Sequence, residues 1–136
     1  MSVTVRDCMN PQLVYIREGD RADLALKWLL EFGITAVPVV DEEMSPVGTV
    51  SLRELADPKR TRDSVTTPAE TIAIDSPISV AAQKLADANV HQLVVIDTDG
   101  HAAGMVSALD VVRGLLGLAA RHPKAIEAFE RAQSRT

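Results

Sequence analysis

Gly33-Ile-Thr-Ala-Val-Pro-Val-Val-Asp41 and, 56 positions further on, Asn89-Val-His-Gln-Leu-Val-Val-Ile-Asp97 are two versions of one phrase. Each opens on a residue that tolerates a left-handed backbone and so ends a helix. Each then runs through an apolar stretch of buried-strand length and stops on an acid suited to a turn. The same 56-residue shift aligns 6–55 with 62–111 without a gap. Identical pairs are Arg6/Arg62, Asp7/Asp63, Ile16/Ile72, Ala25/Ala81, Leu29/Leu85, Val39/Val95, Asp41/Asp97, Gly48/Gly104, Val50/Val106 and Ser51/Ser107. Ten identities in 50 positions exceed the roughly three expected from ordinary composition. The chain is a duplicated unit.

Both copies predict the same elements. A short extended stretch (Leu13–Ile16; Thr71–Ile74) precedes a helix started by Asp20 with Asp23, or by Ser76 with Pro77 at its first position. Apolar residues at helical spacing (Leu24, Ala25, Trp28, Leu29, Phe32; Ile78, Ala81, Ala82, Leu85, Ala88) give each helix a core-facing stripe. Gly33 or Asn89 ends it. Strands follow at Ala36–Val40 or Gln92–Ile96 and, after a turn, at Val47–Val50 or Ala103–Val106, with a helix from Ser51 or Ser107. The order is β-α-β-β-α, an α/β fold of the α+β kind. A unit of 56 residues buries too little surface to stand alone, so two units are expected to pack as a pair. Residues 1–56 form the first repeat, 57–61 a polar, Pro-containing linker, 62–117 the second repeat and 118–136 a helical extension. Leu115–Leu118 is expected to continue the last repeat helix.

Composition narrows the function. The 136 residues are 46% apolar and 24% charged, with a net charge of −5, which suits a globular domain. An acidic balance without a basic block, and aromatics limited to Tyr15, Trp28, Phe32 and Phe129, leave neither phosphate-tracking charge nor a stacking platform for nucleic acid. One cysteine, Cys8, allows no internal disulfide and suits a cytoplasmic protein. The first residues lack the apolar region of a secretory signal, and no apolar stretch reaches membrane-spanning length, so no membrane partner is expected. The histidines lack ligand spacing, so no metal site is expected. No nucleophile and base pair up, so no enzyme is expected.

The informative chemistry lies in Gly48-Thr-Val-Ser51-Leu-Arg-Glu54 and Gly104-Met-Val-Ser107-Ala-Leu-Asp110. A glycine permits close backbone approach, a serine hydroxyl sits at a helix N-terminus that favours anions, and a carboxylate three residues on can accept from sugar hydroxyls. The same spacing is also a capping box, in which serine and acid serve only the helix. The motif alone favours capping; its recurrence in both copies raises the binding reading.

These features, with the two apolar phrases, resemble a tandem pair of cystathionine-β-synthase (CBS) domains, the Bateman module, over residues 5–117. The resemblance implies a pseudo-twofold disc with two clefts between the repeats that hold an adenosine-containing ligand: AMP, ADP, ATP or S-adenosylmethionine. One cleft would use Ser107 and Asp110 at phosphate and ribose, with Met105 beside the ligand and Val14, Ile34, Thr35 and Ala36 around the base. The other would use Ser51 and Glu54, with Thr49, Glu70, Val90, His91 and Gln92. Glu54 departs from the family's aspartate by one methylene, which makes the Ser107/Asp110 cleft the better one. Arg53, Lys59, Arg60, Arg62 and Arg113 are expected near the cleft mouths. The implied function is regulatory: the nucleotide is a signal, no cofactor is required, the module is a homodimer, and occupancy passes to a regulated protein. The alternative is a dimerisation or scaffold module that binds no nucleotide.

Overall fold

The computed structural model describes residues 3–55 and 68–122, the side chains of Ala22, Arg53 and Glu54 excepted. The expected linker at 57–61 and most of the C-terminal extension therefore lie outside the described residues. Among the described residues six strands and five helices run in the order α1 (Val5–Cys8), β1 (Ile16–Arg17), α2 (Ala22–Phe32), β2 (Ala36–Val40), β3 (Pro46–Ser51), α3 (Leu52–Leu55), β4 (Thr71–Ala73), α4 (Ile78–Ala88), β5 (Gln92–Ile96), β6 (Ala102–Ser107) and α5 (Ala108–Leu115).

The duplication extends to hydrogen-bond register. Each half is a three-stranded sheet, β1-β2-β3 or β4-β5-β6, with its first pair parallel and its second antiparallel. Ala36 faces Ser51 as Gln92 faces Ser107, and the register slips between Val39 and Val40 as it does between Val95 and Ile96. Both helix ends follow from their sequences. Gly33 and Asn89 hold φ of 63° and 54°, the left-handed turn that stops a helix and frees the chain for the next strand. In α2 the buried residues are Ala25, Trp28, Leu29 and Phe32, the stripe that helical spacing predicts.

Three local expectations are corrected. Asp20 does not cap α2; its carboxylate accepts the Arg17 amide at 2.8 Å, closing the turn after β1 and leaving Arg21 in the cap position. Pro77 is the residue before α4 and not its first, with an extended ψ of 145°. β1 covers Ile16–Arg17 and not Leu13–Ile16, because regular pairing with β2 begins only at Ile16.

The segment that opens the described chain packs into the second half. The amides of Val5 and Arg6 donate to the carbonyls of Ser76 and Ile74, each at 2.9 Å, and that of Ile78 donates to Val3 at 3.1 Å. Val5, Cys8 and Met9 are buried with Ile72, Ile78, Leu93, Val106 and Val111 in one core. A second core gathers Val14, Trp28, Leu29 and Val50. Val40, Val94 and Ala102 form a third cluster that draws on both sheets. Gly114 makes room where α5 meets α1 and α4: a Cβ there would lie 2.2 Å from the Ile78 Cδ1 and 3.4 Å from the Cys8 Cβ.

At the crossing, Asn10 and Met105 exchange backbone hydrogen bonds of 2.8 and 3.2 Å. Gly104 permits it, since a Cβ at that position would stand 2.2 Å from the Asn10 carbonyl oxygen. Backbone cannot yield as a side-chain tip does, so Gly104→Ala is expected to cost about 2–3 kcal/mol by overpacking. Urea denaturation of wild type and variant measures it, and equal midpoints would refute this account of the crossing.

Candidate functional site

A cavity of about 360 Å³ opens between the halves, within the size range of small-molecule sites. One wall comes from the first half: Val14, Phe32, Gly33, Ile34, Thr35 and Ala36. The facing wall comes from the second: Gln92, Met105, Ser107, Leu109 and Asp110. Asn10 and Gln12 line it from the crossing segment, Arg121 and His122 from the chain after α5.

The Ser-x-x-Asp motif forms the capping box expected of it. Ser107 is the N-cap of α5; its hydroxyl accepts the Asp110 amide at 3.1 Å while its own amide donates to Asp110 Oδ2 at 2.9 Å. The capping box is complete, and the same two side chains line the cavity. They stand at the N-terminus of an eight-residue helix, where the backbone dipole favours negative charge. Asp110 Oδ1 faces His122 Nδ1 at 3.8 Å. Gln12 Oε1 is buried without a hydrogen-bond partner among the described residues.

The structure brings together all seven residues expected around the first cleft: Val14, Ile34, Thr35, Ala36, Met105, Ser107 and Asp110. Gln92, expected in the other cleft, also lines this one and donates from its amide nitrogen to Thr35 Oγ1. The reason is the pseudo-symmetry, which sets the first residues of β2 and β5 beside each other. The remaining second-cleft residues are spread differently. Ser51 ends β3 opposite Ala36, and Thr49 sits half-buried opposite Pro38. Val90 packs against the core that holds Val5, Cys8 and Leu93. His91 is exposed, its carbonyl accepting the Ala108 amide at 2.9 Å. Glu70 lies in an open groove along α4 with Ser79, Gln83 and Lys84. The Glu54 side chain is outside the described residues.

Of the expected cations, Arg113 is turned elsewhere: its Nε donates to the Ala119 carbonyl at 2.9 Å. The Arg53 side chain and Lys59, Arg60 and Arg62 are outside the described residues. Sequence reasoning missed Asn10, Gln12, Phe32, Gly33, Leu109, Arg121 and His122. For the last two a signal existed, because Gly117 has the helix-ending character of Gly33. α5 stops at Leu115 and does not continue to Leu118; Gly117 adopts φ 72° and turns the chain back.

Cys8 is buried, and burial raises the pKa of its thiol, with the charges of Asp110 and Asp7 adding to the effect. It is held as a thiol, a poor nucleophile. Asp97, Asp99 and His101 converge at the β5–β6 turn. Asp97 Oδ1 accepts the amides of Asp99 and His101 at 2.9 and 3.0 Å. These bonds hold its pKa below the usual carboxylate value, the His101 amide leading, and explain the cluster as turn chemistry. Among the described residues no helix is long and apolar enough to cross a membrane.

The family model for the CBS domain matches the chain twice, over residues 5–58 and 62–117. The chain belongs to the CBS domain family. Among solved CBS pairs, one similar structure is CBSX2 from Arabidopsis thaliana in complex with AMP, 28% identical over 84% of this chain and 96% of that one, with a TM-score of 0.72. Another is the CBS domain pair of protein MJ0100 with 5′-methylthioadenosine and S-adenosyl-L-methionine, 25% identical over 82% and 98% of the two chains, TM-score 0.74. A curated relative, a homoserine O-acetyltransferase of Methanohalobium evestigatum, is 30% identical over 80% of this chain but only 23% of its own length. The chain spans about a quarter of the curated acetyltransferases it matches.

The capping role of Ser107 can be measured directly. Ser107→Ala removes the cap acceptor and is expected to cost about 1 kcal/mol of stability, whereas Ser107→Asn keeps it and costs a few tenths at most. Chemical denaturation of both variants checks this; equal losses would mean the capping bond contributes nothing.

Proposed function

We propose that this CBS pair is a regulatory module whose cleft binds an adenosine-containing ligand and whose occupancy is passed to a partner protein. The observation that carries the reading is the composition of one cavity. Met105, Ser107 and Asp110 of the second half face Val14, Ile34, Thr35 and Ala36 of the first across space for a small molecule. In this reading the apolar and backbone surface of the first half receives the base, and Asp110 and Ser107 receive ribose and phosphate. The AMP complex of the similar CBSX2 pair supports it. The ligand is a signal with no cofactor role, in a module suited to the cytoplasm. A second cleft around Ser51, Glu54, Thr49, Val90 and His91 would be the weaker site, because Gln92 is committed to the first.

Transmission requires only that the ligand favour one arrangement of the halves over another. What the halves share with the homoserine O-acetyltransferases is confined to the part of those enzymes that matches, so acyl transfer is not assigned. For the partner surface we propose a second copy of the chain. Leu26 and Leu30 on α2, and Leu109, Val112, Leu115 and Leu116 on or beside α5, are exposed and give each helix an uncovered apolar face.

AMP at millimolar concentration is expected to raise the melting temperature by mass action. In calorimetry Asp110→Ala should weaken AMP at least tenfold, the loss of a charge-assisted contact. Binding is compared well below both melting temperatures, since the substitution also removes the capping acid. Unchanged affinity would sink the site assignment, and a flat response to AMP, ADP, ATP and S-adenosylmethionine alike would favour the scaffold reading. Gel filtration is expected to give a dimer that Leu30→Glu shifts towards the monomer; a monomeric wild type would contradict the proposed dimer.

A further inference from the structure

The described chain beyond the second repeat, residues 118–122, turns back to the cleft. Three bonds turn it back. At the end of α5 the Gly117 amide donates to Gly114 at 3.1 Å and the Leu118 amide to Arg113 at 2.8 Å, the paired pattern of a glycine-terminated helix. Arg113, one turn before the helix end, then grips the Ala119 carbonyl through its side chain. Held at both points, the strap from Leu118 lays Arg121 and His122 against the cavity. Both residues lie outside the stretches that match the CBS family model.

We infer that this strap makes the cleft selective for an anionic adenosine ligand, with Arg121 deciding the charge that is accepted. The inference rests on the adenosine reading above. Among the described residues lining the cavity the charged or chargeable side chains are Asp110, Arg121 and His122. The carboxylate is already answered within the protein: Oδ2 takes the Ser107 amide, and Oδ1 lies under His122, the two side chains being only 12% and 13% exposed. Arg121 lines the cavity, is exposed and has no carboxylate partner among the described residues, which leaves its guanidinium open to a ligand anion. A guanidinium there pairs with phosphate in a charge-assisted contact and repels a sulfonium. His122 Nε2 is buried without a partner among the described residues, a group that a ligand oxygen would satisfy. The helix N-terminus under Ser107 adds favour in the same direction.

The test is calorimetric titration of the full chain with adenosine, AMP and S-adenosylmethionine, for wild type, Arg121→Gln, Arg121→Lys and Arg113→Gln. Wild type is expected to hold AMP at least about tenfold more tightly than adenosine or S-adenosylmethionine. Arg121→Gln should lose about tenfold for AMP and less than about twofold for adenosine, while Arg121→Lys, which keeps the charge, stays within about threefold of wild type. Arg113→Gln, which releases the strap without touching the cavity, should show the same selective loss. An unchanged ratio of AMP to adenosine affinity in Arg121→Gln, or a wild type that prefers S-adenosylmethionine, overturns the inference and leaves the adenosine reading standing. A wild type that binds none of the three, and neither ADP nor ATP, overturns both.

Discussion

The structure depends on the exchange of backbone hydrogen bonds between Asn10 and Met105. Before that point the chain belongs to the second half, where Val5, Cys8 and Met9 complete a core that the later residues leave unfilled. After it, Val14 and Ile16 enter the core of the first half. The opening segment thus serves the second half and its continuation the first, and Gln12 and Val14, on the way across, become part of the cavity wall. The cleft exists because the halves are held together there, and a glycine at 104 admits the crossing backbone.

Duplication sets the frame and divergence sets the site. The frame repeats even in detail: the Leu52 amide donates to Thr35 as that of Ala108 donates to His91, each at 2.9 Å. Divergence sits at the strand entrances, where Thr35 and Ala36 of one repeat correspond to His91 and Gln92 of the other. Gln92 is long enough to reach Thr35 across the pseudo-axis, and a residue as short as Ala36 has no such reach. The Ala36/Gln92 difference in a symmetric frame therefore gives the two strand entrances different surroundings.

Most of the frame was legible in the sequence because it rests on local rules that repeat: helical spacing at Ala25, Trp28, Leu29 and Phe32, left-handed stops at Gly33 and Asn89, apolar runs at 36–40 and 92–96. The seven residues of the first cleft were legible through family resemblance, which supplies the pairing of one repeat against the other. What stayed hidden was non-local. Nothing near Asp20 says that its carboxylate will serve Arg17 rather than a helix. Periodicity at Val5 and Cys8 cannot show that they fill the other half's core. The strap was hidden for a different reason: Gly117 carries a visible stop signal, but the grip of Arg113 on Ala119 is a side-chain contact without a sequence pattern.

Trp28 is the chain's single tryptophan, and it stacks on Phe32 with ring centroids 5.4 Å apart and planes inclined by 17°. Phe32 in turn lines the cavity. The indole is thus buried in the first core yet only one ring removed from the cleft, and its partner ring is the part of that core that meets the cavity. The protein carries an optical probe of this cavity, in the half of the molecule opposite Ser107 and Asp110, so fluorescence reports on the first-half wall separately from the helix terminus of the second.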